Sequence, residues 1–219
     1  MNEKQIRKLR NTLYEQTRYS GIEDYFYASV LLPLIYIDGN LHVLFEKRTD
    51  TIRQPGEISF PGGGIEKDDP SPLDTAIRET VEELGCSIED IEVIAKLDTL
   101  ILASGMVIHA YAGFLHTSME SLQYNKAEVD HLFTIPLEYF YKHEPKAYYC
   151  NVEIQPYTFD DQGNKIQLLP TTELGLPESY QQPWGNAKQV VYFYQTSDAL
   201  IWGLTANIMY DFTRKSRED

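Results

Sequence analysis

The chain has 219 residues, of which 42% are hydrophobic and 24% are charged, as in an ordinary globular protein with enough apolar material for a core. It carries 19 Lys and Arg against 33 Asp and Glu, a formal net charge of −14. Such an acidic chain is poorly suited to binding nucleic acid or an anionic membrane through bulk electrostatics, so we expect neither partner. The negative net charge does not exclude small phosphorylated substrates, because a bound divalent cation can reverse the local sign of the charge.

The cysteines and the apolar stretches bear on the compartment. Cys86 and Cys150 are too few for a disulfide scaffold and lack the paired spacing of a metal site, so we expect reduced thiols. The first residues contain no apolar run of signal-peptide length. The longest apolar stretch, residues 28–37, is too short and too polar to span a bilayer. These features predict a soluble, cytoplasmic protein.

The first predicted elements are a helix and a hairpin. Apolar residues at helical spacing predict an amphipathic helix over about residues 3–17, and we assign residues 1–24 to an N-terminal helical extension. Residues 27–36 and 41–45 are typical of strands. The turn chemistry of Asp38-Gly39-Asn40 would join them as a hairpin.

A stretch rich in glycine and proline follows, and it contains a short predicted strand at residues 57–60. The next helix is predicted over residues 72–84. Ser71 can cap its start, Pro72 suits the first helical position, and Gly85 supplies the stop.

The remaining elements alternate in type toward the C-terminus. We predict strands at 91–99, 106–115 and 189–194, and short helices near 136–141 and 198–212. Residues 158–184 are polar and proline-containing, and we expect a long loop or insertion at about 156–187. Hairpin signals outnumber crossover units, so we predict an α+β fold. A mixed β-sheet flanked by helices would then fill a single domain, residues 25–219.

Three glutamates on the helix at 72–84 are the strongest candidates for chemistry. Glu79, Glu82 and Glu83 stand at i, i+3 and i+4, so we expect them to be adjacent on a face separate from the apolar stripe. That stripe comprises Leu73, Ala76, Ile77, Thr80 and Leu84. Neighbouring carboxylates repel one another unless a cation lies between them, and Mg²⁺ prefers a few carboxylates with water and phosphate oxygens. Arg78 could fork onto one of these carboxylates and hold it.

The alternative is a solvated helix face without function. For glutamates at this spacing alone, that interpretation is the better one. Here the cluster lies between the glycine-rich run at 61–64 and the helix-ending Gly85, and this context favours a site.

These residues resemble the Nudix box, G-x5-E-x7-R-E-U-x-E-E-x-G-U, in which U is aliphatic. The second half of the box is matched at Arg78, Glu79, Glu82, Glu83 and Gly85. The first half departs from the pattern. Counted from Gly63, the expected glutamate is Asp69 and one extra residue precedes Arg78. Counted from Gly64, the length is right but the position holds Pro70. We favour Gly63, because an aspartate and a one-residue lengthening resemble the coenzyme A pyrophosphatase subgroup.

Other segments are similar to the same subgroup. They are residues 53–63, with an arginine and a glycine before Phe-Pro-Gly-Gly, residues 73–79 and residues 201–206. Two features depart from it. The gap between the arginine and the glycine is one residue shorter than the subgroup's form, and Gly64 occupies a place that is often basic.

The resemblance implies a Nudix-like α/β/α sandwich that cleaves a nucleoside diphosphate linked to another moiety by attack of water on phosphorus. It implies that Glu79, Glu82 and Glu83 hold Mg²⁺ or Mn²⁺, and that Arg78 belongs to the catalytic set. The substrate contacts that it implies are Arg53, Phe60, Gly62 and Gly63. Arg53 would contact a phosphate or simply order its loop. Two candidates could accept the proton of the attacking water: Glu83, or a loop carboxylate such as Glu128.

The subgroup implies hydrolysis of coenzyme A, or of a derivative, to 3′,5′-ADP and a 4′-phosphopantetheine product. Alternatives are another substrate, such as ADP-ribose or a dinucleoside polyphosphate, and a catalytically silent nucleotide-sensing domain. Trp184 and Trp202 could stack on an adenine, but packing in the core or at an interface is the expected role of both side chains. The expected partner is a small nucleotide-diphosphate substrate, and a homodimer is compatible with the resemblance.

Overall fold

The structure is a computed structural model that describes residues 3–4, 6–7, 19–51, 54–197 and 199–217. The four described residues near the N-terminus are helical, and the rest of the predicted N-terminal helix lies outside the described residues. Arg53 also lies outside them.

The predicted hairpin is confirmed and forms the centre of the main sheet. Strand β1 (Phe26–Ile37) pairs antiparallel with β2 (Asn40–Arg48). Asp38 and Gly39 both have positive φ, 48° and 79°, as the tight turn between two antiparallel strands requires. The turn chemistry therefore set the register of the two strands.

A short segment separates the other ends of β1 and β2. Strand β3 (Ile58–Ser59) pairs with the end of β2, and β4 (Gly62–Gly64) pairs with the start of β1. The two strands of the hairpin therefore diverge, and residues 58–64 lie between them.

The rest of the main sheet extends from both sides of the hairpin. Its strands are β5 (Ile91–Lys96), β6 (Leu100–Leu102), β7 (Met106–Leu115) and β8 (Val129–Pro136). β7 runs parallel to β1, β5 and β6 pair with β7, and β8 pairs with β2, which gives eight strands in the described part of the chain. β6 and β8 were not predicted.

Helices cover both faces of this sheet. Helix α1 (Pro72–Leu84) lies on one face, and α2 (Leu137–Lys142) and α3 (Gly203–Ser216) lie on the other. Successive residues of β1 serve the two cores, since Leu31 packs with α1 and Leu32 packs with the α2 and α3 side. The predicted α/β/α arrangement is confirmed.

The C-terminal third departs most from the predictions. It contains β9 (Lys146–Ile154), β10 (Tyr157–Phe159), β11 (Lys165–Gln167), β12 (Trp184–Gln195) and β13 (Leu200–Trp202). β9, β12 and β13 form a separate sheet, and the segment predicted as a loop holds the β10–β11 hairpin and a 3-10 turn at Glu178–Gln181. The last helix begins at Gly203 rather than near residue 198, because residues 200–202 pair with β12 instead.

Both cysteines are free thiols, as predicted. In the part of the chain that the structure describes, no helix combines the length and apolarity needed to cross a bilayer.

Candidate functional site

Helix α1 begins and ends where the sequence predicts. The side chain of Ser71 accepts a hydrogen bond from the backbone N–H of Asp74 at 3.4 Å, and Pro72 occupies the first turn. Gly85 ends the helix with φ of 65°, and its N–H donates to the carbonyl of Val81. A Cβ at Gly85 would lie 2.2 Å from the carbonyl oxygen of Gln123, so the loop at 123 fits closely against this end.

The three glutamates of α1 differ widely in exposure. Glu83 is 3% exposed, whereas the side chains of Glu79 and Glu82 are 16% and 56% exposed. The prediction of one shared face separate from the apolar stripe was therefore wrong for Glu83. It follows Ala76 by two turns, seven residues, so it lies on the buried stripe and points toward the sheet.

The glycine-rich strand β4 meets these glutamates directly. The backbone N–H of Gly62 donates to Oε2 of Glu83 at 2.8 Å. A Cβ at Gly63 would lie 2.3 Å from Oε1 of Glu79, and one at Gly62 would lie 2.4 Å from the carbonyl oxygen of Ser29. Only glycine permits this approach of backbone to carboxylates, so Gly62 and Gly63 are brought together with Glu79 and Glu83.

Arg78 contacts a carboxylate different from the one expected. Its two-pronged contact is with Asp69, from Nε to Oδ1 at 3.1 Å and from Nη2 to Oδ2 at 3.0 Å. Nη1 also donates to Glu79 at 2.9 Å and to Glu82 at 3.2 Å. The expected fork onto one helix glutamate is thus replaced by a bridge between Asp69 and two of them.

Asp69 is held from several directions. Besides Arg78, the hydroxyl of Thr75 and the backbone N–H of Glu66 donate to its Oδ2 at 2.8 and 2.9 Å. These hydrogen bonds, that of Arg78 first, hold the pKa of Asp69 well below its ordinary value. This geometry favours counting the box from Gly63, since Asp69 carries the carboxylate that the alternative position, Pro70, would lack.

Glu46 is a member of the site that sequence reasoning missed. This residue of β2 is 1% exposed, and its Oε1 accepts a hydrogen bond from the hydroxyl of Ser59 at 2.8 Å. Oε2 is buried and has no hydrogen-bond partner among the described residues. Burial raises the pKa of Glu46 to about 7, and the negative charges of Glu128 and Glu79 add to the rise. The sequence offers one signal, that Glu46 follows Leu44 by two residues and so lies on the same side of β2 as that apolar residue.

Glu46 and Glu83 are electrostatic neighbours. Burial raises the pKa of Glu83 to about 9, with the charge of Glu46 as the next largest cause. Burial raises the pKa of Glu79, and the charge of Glu128, whose Oε1 accepts a hydrogen bond from Asn125 at 3.1 Å, adds to the rise. The role of Glu128 as proton acceptor stays a prediction.

The box implies a divalent cation, and the carboxylates near Gly62 are the groups that would hold it. No group of three or more His, Cys, Asp or Glu side chains among the described residues has the geometry to hold a metal ion. The guanidinium of Arg78 binds the carboxylates of Glu79 and Glu82, whereas Glu83 is held by Gly62. The donor chemistry nevertheless fits a hard cation, because two buried carboxylates repel each other and one of their oxygens has no partner among the described residues.

A cavity of about 660 Å³ adjoins β4. Its walls include Gly62, Gly63 and Gly64, the β1 and β7 side chains Val30 and Met106, and the start of α3 at Leu204. Such a volume lies in the range of small-molecule sites.

The aromatic candidates for substrate contact are packed against other rings. Phe60 borders the cavity, but it is buried and its ring stacks on Phe45 at 5.2 Å. Trp202 also lines the cavity and stacks on Phe193 at 5.9 Å, whereas Trp184 packs edge-on against Tyr180. The packing default thus holds for Trp184.

Comparison with known proteins places this arrangement in a family. The profile of the NUDIX domain matches residues 29–149, which is more than half of the chain. The chain belongs to the Nudix family. The matched range contains the Nudix box, Glu46 and Glu128.

Relatives of this Nudix chain include named coenzyme A diphosphatases. It is 36% identical to mouse peroxisomal coenzyme A diphosphatase NUDT7 over 134 residues, covering 61% of this chain and 55% of the relative. It is 32% identical to human mitochondrial coenzyme A diphosphatase NUDT8, covering 55% and 52%. An uncharacterized Nudix hydrolase, NudL of Photorhabdus laumondii, is 28% identical and is matched over 86% of this chain and 84% of its own length. The chain therefore spans about half the length of the two named diphosphatases.

Solved structures that align with parts of this chain include a NUDIX domain and an Ap4A hydrolase. The NUDIX domain of Shewanella oneidensis NrtR, complexed with ADP ribose, aligns with a TM-score of 0.44 at 20% identity, covering 66% of this chain and 89% of that one. The C. elegans Ap4A hydrolase gives 0.44 at 20% identity, covering 51% and 80%. The relatives' names include a peroxisomal and a mitochondrial protein, so the compartment of this chain stays a prediction.

Proposed function

We propose that this protein is a metal-dependent Nudix pyrophosphohydrolase that cleaves a nucleoside diphosphate linked to another moiety. We propose coenzyme A, or a close derivative, as the substrate, with 3′,5′-ADP and a 4′-phosphopantetheine product. The observation that carries the proposal is the junction of Gly62 and Gly63 with Glu79 and Glu83 beside the cavity of about 660 Å³.

Glu79, Glu82 and Glu83 would hold the cation, Mg²⁺ or Mn²⁺. When bound, such an ion neutralises the charge of the diphosphate and makes water a better nucleophile at neutral pH. Arg78 sets the position of Glu79 and Glu82, since its Nη1 donates to both while Asp69 fixes the other edge of the guanidinium. The arginine is thus a positioning residue for the helix carboxylates.

The backbone of β4 would orient the diphosphate. Gly62 and Gly63 have no side chains, so substrate oxygens can approach the chain at the place where it meets Glu83. Both glycines are paired with β1, so this surface is ordered before the substrate binds. Glu83 and Glu128 are the candidates to accept the proton of the attacking water, and contacts of Arg53 and Phe60 with substrate remain predictions.

Two observations support coenzyme A in particular. Residues 53–63 resemble the upstream signature of the coenzyme A pyrophosphatases, and two relatives at 36% and 32% identity are named coenzyme A diphosphatases. The cavity beside β4 has mostly apolar walls around a few polar groups, as is usual for sites that bind small molecules, and coenzyme A is one such ligand.

The test is to incubate the purified protein with coenzyme A and Mg²⁺ and to measure 3′,5′-ADP. The Glu83→Gln variant should form none, whereas Glu92→Gln, a surface change on β5, should match the wild type. Absence of product above the Glu83→Gln background would overturn the coenzyme A proposal. A parallel panel of ADP-ribose and a dinucleoside polyphosphate shows whether another substrate is preferred. Nucleotide binding without turnover in Mg²⁺ and Mn²⁺ would instead indicate a silent sensing domain.

A further inference from the structure

We propose that Glu46 is a further ligand of the divalent cation and binds it together with Glu83. The inference rests on the proposed function, because it concerns the ion of the same site. It adds a carboxylate from β2, outside the Nudix box, to the glutamates that the box supplies.

The position of Glu46 is set by the divergence of β1 and β2. At this point β2 pairs with β3, and Glu46 lies directly opposite Ser59. The Ser59 hydroxyl donates to Oε1 at 2.8 Å and so fixes one oxygen of the carboxylate. Glu83 is fixed in the same way by the N–H of Gly62 at 2.8 Å, three residues further along the inserted segment. Ser59 and Gly62, which belong to one segment, thus hold two carboxylates from different elements.

The second oxygen of Glu46 is the decisive feature. Glu46 is 1% exposed, and Oε2 is buried without a hydrogen-bond partner among the described residues. A buried polar atom with no partner costs free energy, and more so when its group carries charge. The charge of Arg48, on the same strand, favours the ionised form of Glu46, but burial outweighs it. The carboxylate is therefore left to be compensated by a bound cation or by a proton.

A divalent cation satisfies this requirement better than any single side chain. Mg²⁺ and Mn²⁺ bind oxygen, and Mg²⁺ typically takes one or two protein carboxylates and completes its shell with water and phosphate oxygens. Glu46 and Glu83 can supply two carboxylates that are both positioned by hydrogen bonds before the ion arrives. The competing explanation is a proton shared between the two carboxyl groups, and the experiment separates the two.

The experiment measures Mn²⁺ binding to the purified protein without nucleotide, by electron paramagnetic resonance and by calorimetry. Glu46→Gln keeps the shape and the hydrogen bond to Ser59 but removes the charge. We expect it to weaken Mn²⁺ binding by at least about tenfold, the lower end of losses seen even for residues that only support metal ligands. Glu92→Gln, on the surface of β5, should bind Mn²⁺ as the wild type does. Equal affinity in Glu46→Gln and wild type would overturn the inference and indicate a shared proton.

A second variant covers failure of Glu46→Gln to fold. Glu46→Asp keeps the charge but withdraws it by one methylene, and weaker Mn²⁺ binding is again expected, while unchanged affinity overturns the inference. Hydrolysis is assayed in parallel. Wild-type turnover with unchanged Mn²⁺ affinity in Glu46→Gln overturns this inference and leaves the proposed function standing. Absence of turnover in the wild type, together with weakened Mn²⁺ binding in Glu46→Gln, supports Glu46 as a ligand and overturns the proposed function.

Discussion

Asp69 accepts two hydrogen bonds from Arg78, from Nε at 3.1 Å and from Nη2 at 3.0 Å, and so closes the loop before helix α1 onto the helix. The paired geometry is the strong form of an arginine–carboxylate contact. It leaves Nη1 free to turn toward Glu79 and Glu82. One aspartate outside the helix therefore controls the direction of the arginine on which two helix glutamates depend.

Asp69→Asn should lower stability, and the loss should depend on pH. Since Arg78 holds the pKa of Asp69 below its ordinary value, the ionised form stabilises the folded state. This contribution is fully present above about pH 4, the ordinary value, and is lost as the pH falls toward the folded pKa. Urea denaturation at pH 7 and pH 3 should show a larger difference between wild type and variant at pH 7. An equal difference at both pH values would contradict the assignment.

Gly63→Ala should reduce activity while the protein stays folded. The added Cβ would lie 2.3 Å from Oε1 of Glu79, so the carboxylate must move. We expect kcat/KM to fall by at least about tenfold, or roughly 1.4 kcal/mol of transition-state stabilisation. Gly64→Ala is the matched control, because its Cβ meets only the ring of Phe26, at 3.0 Å. Similar kcat/KM values in the two variants would show that the approach of Gly63 to Glu79 is not needed.

Glu83→Gln should abolish turnover without destabilising the metal-free protein. The cation contributes several kcal/mol to the transition state, so loss of a ligand should lower kcat by at least about 100-fold. Burial and the charge of Glu46 both disfavour the ionised form of Glu83, and the amide is neutral at every pH, so the Tm without metal should be equal or higher. Added Mg²⁺ should raise the Tm of the wild type more than that of the variant. A lower Tm of the metal-free variant would argue against repulsion between the two carboxylates.

Phe60→Leu tests whether a residue assigned to substrate contact acts mainly in the core. Phe60 is 3% exposed and stacks on Phe45. The change removes an aromatic pair and leaves a small void, so the free energy of unfolding should fall by about 1–2 kcal/mol. Chemical denaturation gives the value, and Tyr36→Leu, an exposed stacked ring, is the control. A raised KM with unchanged stability would assign Phe60 to substrate contact instead.

Local signals predicted the parts of the fold that local chemistry determines. The β1–β2 turn follows from Asp38 and Gly39, and the bounds of α1 follow from Ser71, Pro72 and Gly85. Each of these positions has a backbone requirement, either a positive φ or an unpaired terminal N–H. Few residue types meet such a requirement, so the sequence predicts the structure there.

The segments that were predicted wrongly have a different cause in common, because their structure depends on strands that are distant in the sequence. Residues 200–202 have helical character in sequence but form β13, because β12 pairs with them. Strand β9 is exposed along most of its length and alternates polar and apolar residues only over 151–154, too short a run to predict the whole strand. Tertiary pairing decided both segments.

The candidate site shows the same division. The box predicted the glutamates of α1, but their unequal exposure depends on which turn faces the sheet. Glu46 precedes Lys47 and Arg48 near the end of a strand, where a charged residue ordinarily faces solvent. It is buried because α1 covers that face and β3 supplies Ser59, and neither relation is visible in the sequence of β2.

The insertion of residues 58–64 between β1 and β2 has a consequence for the thermodynamics of ligand capture. The proposed diphosphate-binding surface consists of backbone that is hydrogen-bonded to β1 and β2 instead of a closing loop, so its conformational entropy is lost during folding and not on binding. An anhydride arriving there would lose its own freedom but would not have to order this part of its host.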